Sequence, residues 1–399
     1  MAPAFAYKPA LTLAQYAERA RETDRFVDDP RVLERLRFGY FGEIGGLLAA
    51  VKKVARDQLH TTETEAAGEE LGDALWYLVA MTNALRISPD DLGHSCLNQL
   101  RVHYNEKPIT QHQNGITFRQ IDGLLNAHQG GDESRRAAML GDLAYAAGTL
   151  AQETSEQLKL QAAPSQTEHF GKLLADLART CACFRLHIED VALDNIEKIT
   201  GRWPGSNPRY IALFDDDPKL PEYERLPRQF KILFEERDRE KGNVVQSIRG
   251  VFVGDRLTDN SNEPDDYRFH DVFHLAYVAH LGWSPVVRGL LKRKRKSDAK
   301  KDENEDGARA MIIEEGIATW IFNHAKRREH YKDVKLGKLD FGLLKQIKSM
   351  VTGYEVENCP LWQWERAILD GFQVFRQLQK ARQGTVAVDM NAHTLTFEP

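Results

Sequence analysis

Apolar residues recur at spacings of three and four through RVLERLRFGYFGEIGGLLAAVKKVARD, residues 31–57, and again through ETEAAGEELGDALWYLVAMTNALRI, residues 63–87. This is the period of helices with one buried face. The polar stretch QLHTTETEAAG supplies the turn between them. A third helix is announced by SPDDLGHSCLNQLRVHY, where Ser88 is placed to cap it, Pro89 suits its first turn, and Asp90 and Asp91 complement its dipole. NEKPITQHQNG then closes the unit. A second helical stretch, from about Ile116 to Ile199, repeats the first in order. LGDLAYAAGTLAQETSEQLKLQ aligns with LRFGYFGEIGGLLAAVKKVA, KLLADLARTCACF with EELGDALWYLVAM, and LHIEDVALDNIEKI with ISPDDLGHSCLNQL. Such self-similarity marks a duplicated structural unit.

From RWPGSNPRYIALFDDDPKLPEYERLP the texture changes, with Pro, Gly and Asp clustered as between domains, and a boundary is expected near residue 205. Beyond it SIRGVFVGDRL reads as strand, and TVAVDMNAHTLTF as a terminal hairpin alternating around Met390 and Asn391. Helices fill the interval, together with KRKRKSDAKKDENEDGAR, which reads as a mobile, solvated loop. The expected fold is mainly α. It has a helical-bundle repeat over residues 1–110, a second, degenerate copy over 111–205, and a C-terminal, mostly helical domain with a few short β-strands over 206–399.

Composition adds limits. A chain of 399 residues is long enough for two or three cores. The formal net charge of −5 gives no overall basic field, so nucleic acid is not an expected partner. No apolar run approaches the ~20 residues that span a bilayer, and the N-terminus lacks a basic region followed by an apolar stretch. Neither a membrane span nor export is expected. The cysteines, Cys96, Cys181, Cys183 and Cys359, are too few and too irregular for a disulfide framework, which fits a reducing cytoplasm. Cys181 and Cys183 sit two apart on one helix and point to different faces, so they read as packing and not as a shared metal site.

Glu70 and Asp73 are three apart in EELGDALWYL, so a helix puts both on one face. Gly72, Ala74, Leu75, Trp76 and Leu78 surround them with small and apolar residues, and acids near a core need a partner or a metal. With these residues in view the chain resembles the MazG-type all-α nucleoside triphosphate pyrophosphohydrolases, whose pattern is an ExxE on one helix, an ExxD on the next and an NxxK further on. In the first repeat Glu43 is retained, Gly46 stands for the second Glu, Glu70 and Asp73 are both kept, and Cys96 and Gln99 replace Asn and Lys. In the second, Glu153 and Glu156 complete the pair, Leu173 replaces a Glu, Asp176 is kept, and Asn195 and Lys198 supply the NxxK.

The resemblance covers roughly residues 30–205 and implies magnesium, or manganese, held by Glu43, Glu70, Asp73, Glu153, Glu156 and Asp176 beside a nucleoside triphosphate. One of Glu43, Glu70, Glu153 and Glu156 would then be the general base, Lys198 would offset phosphate charge, and Asn195 would work at the phosphate and metal edge. Glu153, Glu156 and Asp176 make the most complete set and Glu43, Glu70 and Asp73 the second. One centre drawn from both repeats, one built within a single repeat, and loss of catalysis all stay open. Tyr77 could stack on a base or simply pack in the core, as Trp76 could. Lys52 and Lys53 follow Glu43 by nine and ten residues, and one of them could reach phosphate.

The C-terminal part holds His270 and His274 at i and i+4, the helical spacing for two ligands on one metal. Glu314, Glu315 or His324 in IIEEGIATWIFNHAKR could supply a third, and buried, hydrogen-bonded polar residues are the alternative. Two rivals to a pyrophosphohydrolase follow. One is a nucleotide-sensing regulatory protein with a C-terminal effector, for instance in phage defence. The other places catalysis at the C-terminal histidines. Duplication within one chain can stand in for a dimer, and a homo-oligomer is the alternative.

Overall fold

A computed structural model of the chain describes residues 9–57, 62–111, 113–127, 133–205, 208–238 and 242–399. The chain divides into two compact units, Met1–Thr200 and Gly201–Pro399. Fifteen α-helices and one five-stranded sheet are found among the described residues, so the mainly α expectation with a few short strands holds. No helix among them is long and apolar enough to cross a membrane.

Among the described residues the named elements of the first unit are all helices: α1 (Leu13–Thr23), α2 (Val32–Asp57), α3 (Glu63–Ala84), α4 (Pro89–His103), α5 (Phe118–Ala127), α6 (Glu133–Gln152), α7 (Ser155–Leu160), α8 (Ala163–Cys183) and α9 (Ile188–Arg202), whose last two residues fall in the second unit. Along α2, Leu33, Leu36, Tyr40, Ile44 and Leu47 are buried at spacings of three and four, and this stripe faces α3 and α6. A capping box between Thr62 and Glu65 starts α3. Its second half is apolar on all sides and becomes the unit's central helix, buried from Leu71 to Thr82 except at Asp73 and Tyr77. Helix α4 packs on α8. Ser88 does stand at its N-cap, but its side chain makes no capping hydrogen bond, and Pro89 and the first-turn acids do the starting. Cys181 is buried and Cys183 partly buried, as expected of side chains on different faces.

In the second unit the strands β1 (Gln229–Asp238), β2 (Asn243–Ile248), β3 (Val251–Leu257), β4 (Gln383–Asp389) and β5 (Thr394–Glu398) form an antiparallel sheet in the order β3-β2-β1-β4-β5. The strands expected in SIRGVFVGDRL and the terminal hairpin are present. Central β1 was not read from sequence, because Lys231, Glu235, Glu236 and Arg237 mask the alternation that buries Ile232 and Phe234. The remaining helices are α10 (Asp271–Leu281), α11 (Pro285–Leu290), α12 (Ala299–Asn304), α13 (Ala308–Lys326), α14 (Phe341–Met350) and α15 (Leu361–Ala381). Helix α10 is buried at every residue and lies against α15, β4 and β5.

The segment 292–309 departs from the solvated loop expected of it. Residues 299–304 form α12, and Arg295 is fully buried, held by both carboxylate oxygens of Asp306 and of Glu355. Opposite charges that look like solvation in sequence are here paired inside the fold, where an ion pair survives only with its hydrogen bonds satisfied.

Candidate active site

In the first unit three helices bring their acids and one lysine together. Glu43 comes from α2, Glu69, Glu70 and Asp73 from α3, and Asn195 and Lys198 from α9. The Lys198 ammonium donates to Asp73 Oδ2 at 2.5 Å and to Glu69 Oε1 at 3.0 Å. Asn195 is nearly buried, donates from Nδ2 to Asp73 Oδ1 at 3.0 Å, and accepts from the buried Tyr16 hydroxyl at 2.8 Å. Both ends of its amide are therefore engaged in fixing Asp73. Glu43 and Glu70 face each other across α2 and α3 and share a hydrogen bond.

Electrostatics follow from this crowding. Burial raises the Glu43 carboxyl first, and the charges of Asp73 and Glu70 raise it further, to about 7. Glu70 is raised as well, chiefly by burial, while the hydrogen bond from Glu43 works the other way. Burial pulls the Lys198 ammonium down, but Asp73 and Glu69 outweigh it and hold it above its ordinary value. Three half-buried carboxylates, Glu43, Glu70 and Asp73, thus crowd together with the Lys198 ammonium. Glu43 holds its proton more tightly for that reason. An all-oxygen set of this kind fits a hard divalent ion such as magnesium.

Two glycines on α2 shape this face. A Cβ at Gly46 would lie 2.2 Å from Glu70 Oε2, and one at Gly39 would lie 2.2 Å from Cε1 of Tyr77. Gly46 thus admits the Glu70 carboxylate where the resembled pattern has an acid of its own. Tyr77 sits half-buried in the Gly39 notch and stacks edge-on with Trp76, with its hydroxyl pushed up to about 12 by burial and by Glu43, Asp73 and Asp24. Trp76 is a core residue whose indole donates to Thr23. Lys52 and Lys53 are exposed, and Lys53 stands about 15 Å along the helix axis from Glu43.

The second acid set is arranged differently. Thr154 caps α7, accepting from the Gln157 amide at 3.1 Å, and so interrupts the helix between Glu153 and Glu156. Glu153 lies before that cap and accepts from Gln161, whereas Glu156 is exposed in the first turn of α7. Asp176 is on α8 and pairs with Arg179 at 3.3 Å. Among the described residues no hydrogen bond or ion pair joins these three acids. Asp176 instead lies close enough to the buried Cys96 of α4 to push its thiol up, after burial itself. Cys96 thus stands beside Asp176 much as Asn195 stands beside Asp73.

Sequence reading placed Glu43, Glu70, Asp73, Asn195 and Lys198 among the candidates but missed Glu69 and Tyr16. Glu69 adjoins Glu70, is exposed, and belongs to no motif. Tyr16 lies outside every motif, and nothing in the sequence links it to a residue 179 positions away.

The second unit has its own polar group. His270 and Asp271 begin α10 and His274 follows one turn later, while Glu314 and Glu315 lie on α13. His270 Nδ1 is 2.8 Å from the Tyr267 carbonyl oxygen, so it donates there and turns Nε2 toward Asp271 Oδ1, 3.3 Å away. His274 Nδ1 is 2.8 Å from Glu314 Oε1, and Glu314 also accepts from Ser284 Oγ at 2.6 Å and from the Val286 amide at 2.8 Å. His324 is set apart from this group, with Nδ1 2.6 Å from the Tyr331 hydroxyl.

Residues 209–399 match the family model of the MazG C-terminal domain. No curated protein and no solved structure matches the chain.

Proposed function

We propose that this chain, for which the C-terminal match supports the MazG family, hydrolyses a nucleoside or deoxynucleoside triphosphate to the monophosphate and pyrophosphate at the Glu43, Glu70, Asp73 and Lys198 centre. The observation that carries the reading is the convergence of acids from α2 and α3 with a lysine 125 residues away from Asp73 in sequence. Magnesium or manganese bound by Glu43, Glu70 and Asp73 would neutralise phosphate charge there. The chain's own side chains do the rest. Glu43, poised near neutral pH, takes the proton from the water that attacks the α phosphorus. Lys198 offsets charge on the departing pyrophosphate, Asn195 holds Asp73 in place, and Tyr77 offers a ring beside the cluster for a base.

The packing supports a duplication with complementary losses. Helices α2, α3 and α4 correspond in order to α6, α8 and α9, yet α4 packs on α8 while Asn195 and Lys198 of α9 engage α3. Each copy's last helix thus serves the other copy's acid helix. The first copy keeps the acids and the second keeps the Asn and Lys that meet them, which leaves one centre shared by both.

Purified chain incubated with each nucleoside and deoxynucleoside triphosphate, with magnesium or manganese, should yield pyrophosphate and monophosphate in equal amounts. Silence across the whole panel with both metals would end this reading. Thermal stabilisation by nucleotide without turnover would favour instead a nucleotide sensor, the reading that the missing acid at Gly46 suggests.

A further inference from the structure

The polar group on α10 and α13 lies outside the centre just described, and its geometry points to a separate use. His274 is fully buried, and among the described residues its Nε2 has the Glu315 carboxylate beside it but no well-formed hydrogen bond. A buried polar atom that is poorly paired is costly, and α10 is buried at every residue. That Nε2 lies 3.4 Å from Glu315 Oε2, and His270 Nε2 lies 3.7 Å from the same oxygen and 3.3 Å from Asp271 Oδ1. One ligand atom each from His270, Asp271 and His274 fall within 4.8 Å of one another. Ligand atoms about 2.1 Å from a tetrahedral centre stand about 3.4 Å apart, close to the 3.3 to 3.7 Å between these imidazoles and the Asp271 and Glu315 carboxylates.

The surroundings are those of ligands held for an ion. Glu314 and the Tyr267 carbonyl hold the Nδ1 side of each imidazole, which turns both Nε2 atoms toward the Glu315 carboxylate. Glu314 is itself anchored by Ser284 and Val286, and Gln246 donates to Asp271 Oδ2 at 2.5 Å, leaving Oδ1 toward His270. An open cleft of about 800 Å³ reaches the group through His270, Asp271 and Glu315, with Thr319, Asn323 and Lys326 on its walls.

We propose that His270 Nε2, His274 Nε2, Glu315 and Asp271 form a second metal centre that takes a first-row transition dication of the zinc class. Two imidazoles with two carboxylates prefer such borderline ions, whereas the all-oxygen group of the first unit suits magnesium. The centre stands independently of the pyrophosphohydrolase reading, because it shares no residue with that site.

The test uses the full chain with Zn²⁺ alone, and Co²⁺ alone as a coloured stand-in. One Zn²⁺ per chain should survive gel filtration, and Co²⁺ should give visible absorption bands. His270→Ala should lose both signals. Glu315→Gln should weaken Zn²⁺ binding at least about tenfold, and the 43 % exposure of that side chain lets the variant fold if His270→Ala does not. Glu70→Gln should leave Zn²⁺ content unchanged. The proposal fails if the unaltered chain holds no more Zn²⁺ than folded Glu315→Gln, or if Zn²⁺ is lost in Glu70→Gln and kept in His270→Ala.

Discussion

The charge of Glu43 is governed by its burial and by the acids beside it. Burial, Asp73 and Glu70 lift its carboxyl from an ordinary 4.5 to about 7, so the folded chain holds that proton more tightly than the unfolded one does. Its contribution to stability is present below 4.5 and is lost as pH rises toward 7. Metal-free melts of the unaltered chain should therefore show a downward slope in Tm over that window, and Glu43→Gln, which cannot ionise, should flatten it. Magnesium competes with the same proton and should bind more tightly as pH rises through about 7. Parallel slopes for the two proteins would mean that Glu43 is not the group holding the proton.

The elements decide which acids can cooperate. Helices α2, α3, α4, α8 and α9 were legible because three-and-four periodicity survives along them, and with it came the acids of α2 and α3. The interruption at Thr154 was not legible. QETSEQL has the composition of a continuing helix, and only the Thr154 and Gln157 capping box, an exposed local arrangement, parts Glu153 from Glu156. The burial of Arg295 was hidden for a different reason: its partners Asp306 and Glu355 are 11 and 60 residues away, and pairing across that distance leaves no local pattern. Gly46 is an element-scale device that sequence shows only as a missing acid. Its lack of a side chain admits Glu70 to the face of α2. Gly46→Ala should push the Glu70 carboxylate aside and weaken magnesium binding by about tenfold. The displaced atoms end a flexible side chain, so Tm should barely move. Calorimetric titration beside thermal melts checks both, and unchanged affinity would show that Glu70 is not a ligand.

At the scale of the molecule, each unit gathers its polar side chains by tertiary packing and not by motif. In the first unit Tyr16, Glu43, Asp73 and Lys198 come from four helices. In the second, two helices supply the imidazoles and the carboxylates of a separate cluster. The proposed division of labour between duplicated copies has a direct consequence: the acids of the second copy are dispensable, while its lysine is not. The decisive measurement is kcat/KM for pyrophosphate release, with magnesium and the best triphosphate, for Lys198→Met, Glu70→Gln and the double variant Glu153→Gln, Glu156→Gln. Lys198→Met and Glu70→Gln should each lose about 10²-fold or more, and the double variant should keep the activity of the unaltered chain. Full activity in Lys198→Met, or its collapse in the double variant, would contradict a single centre shared across the two copies.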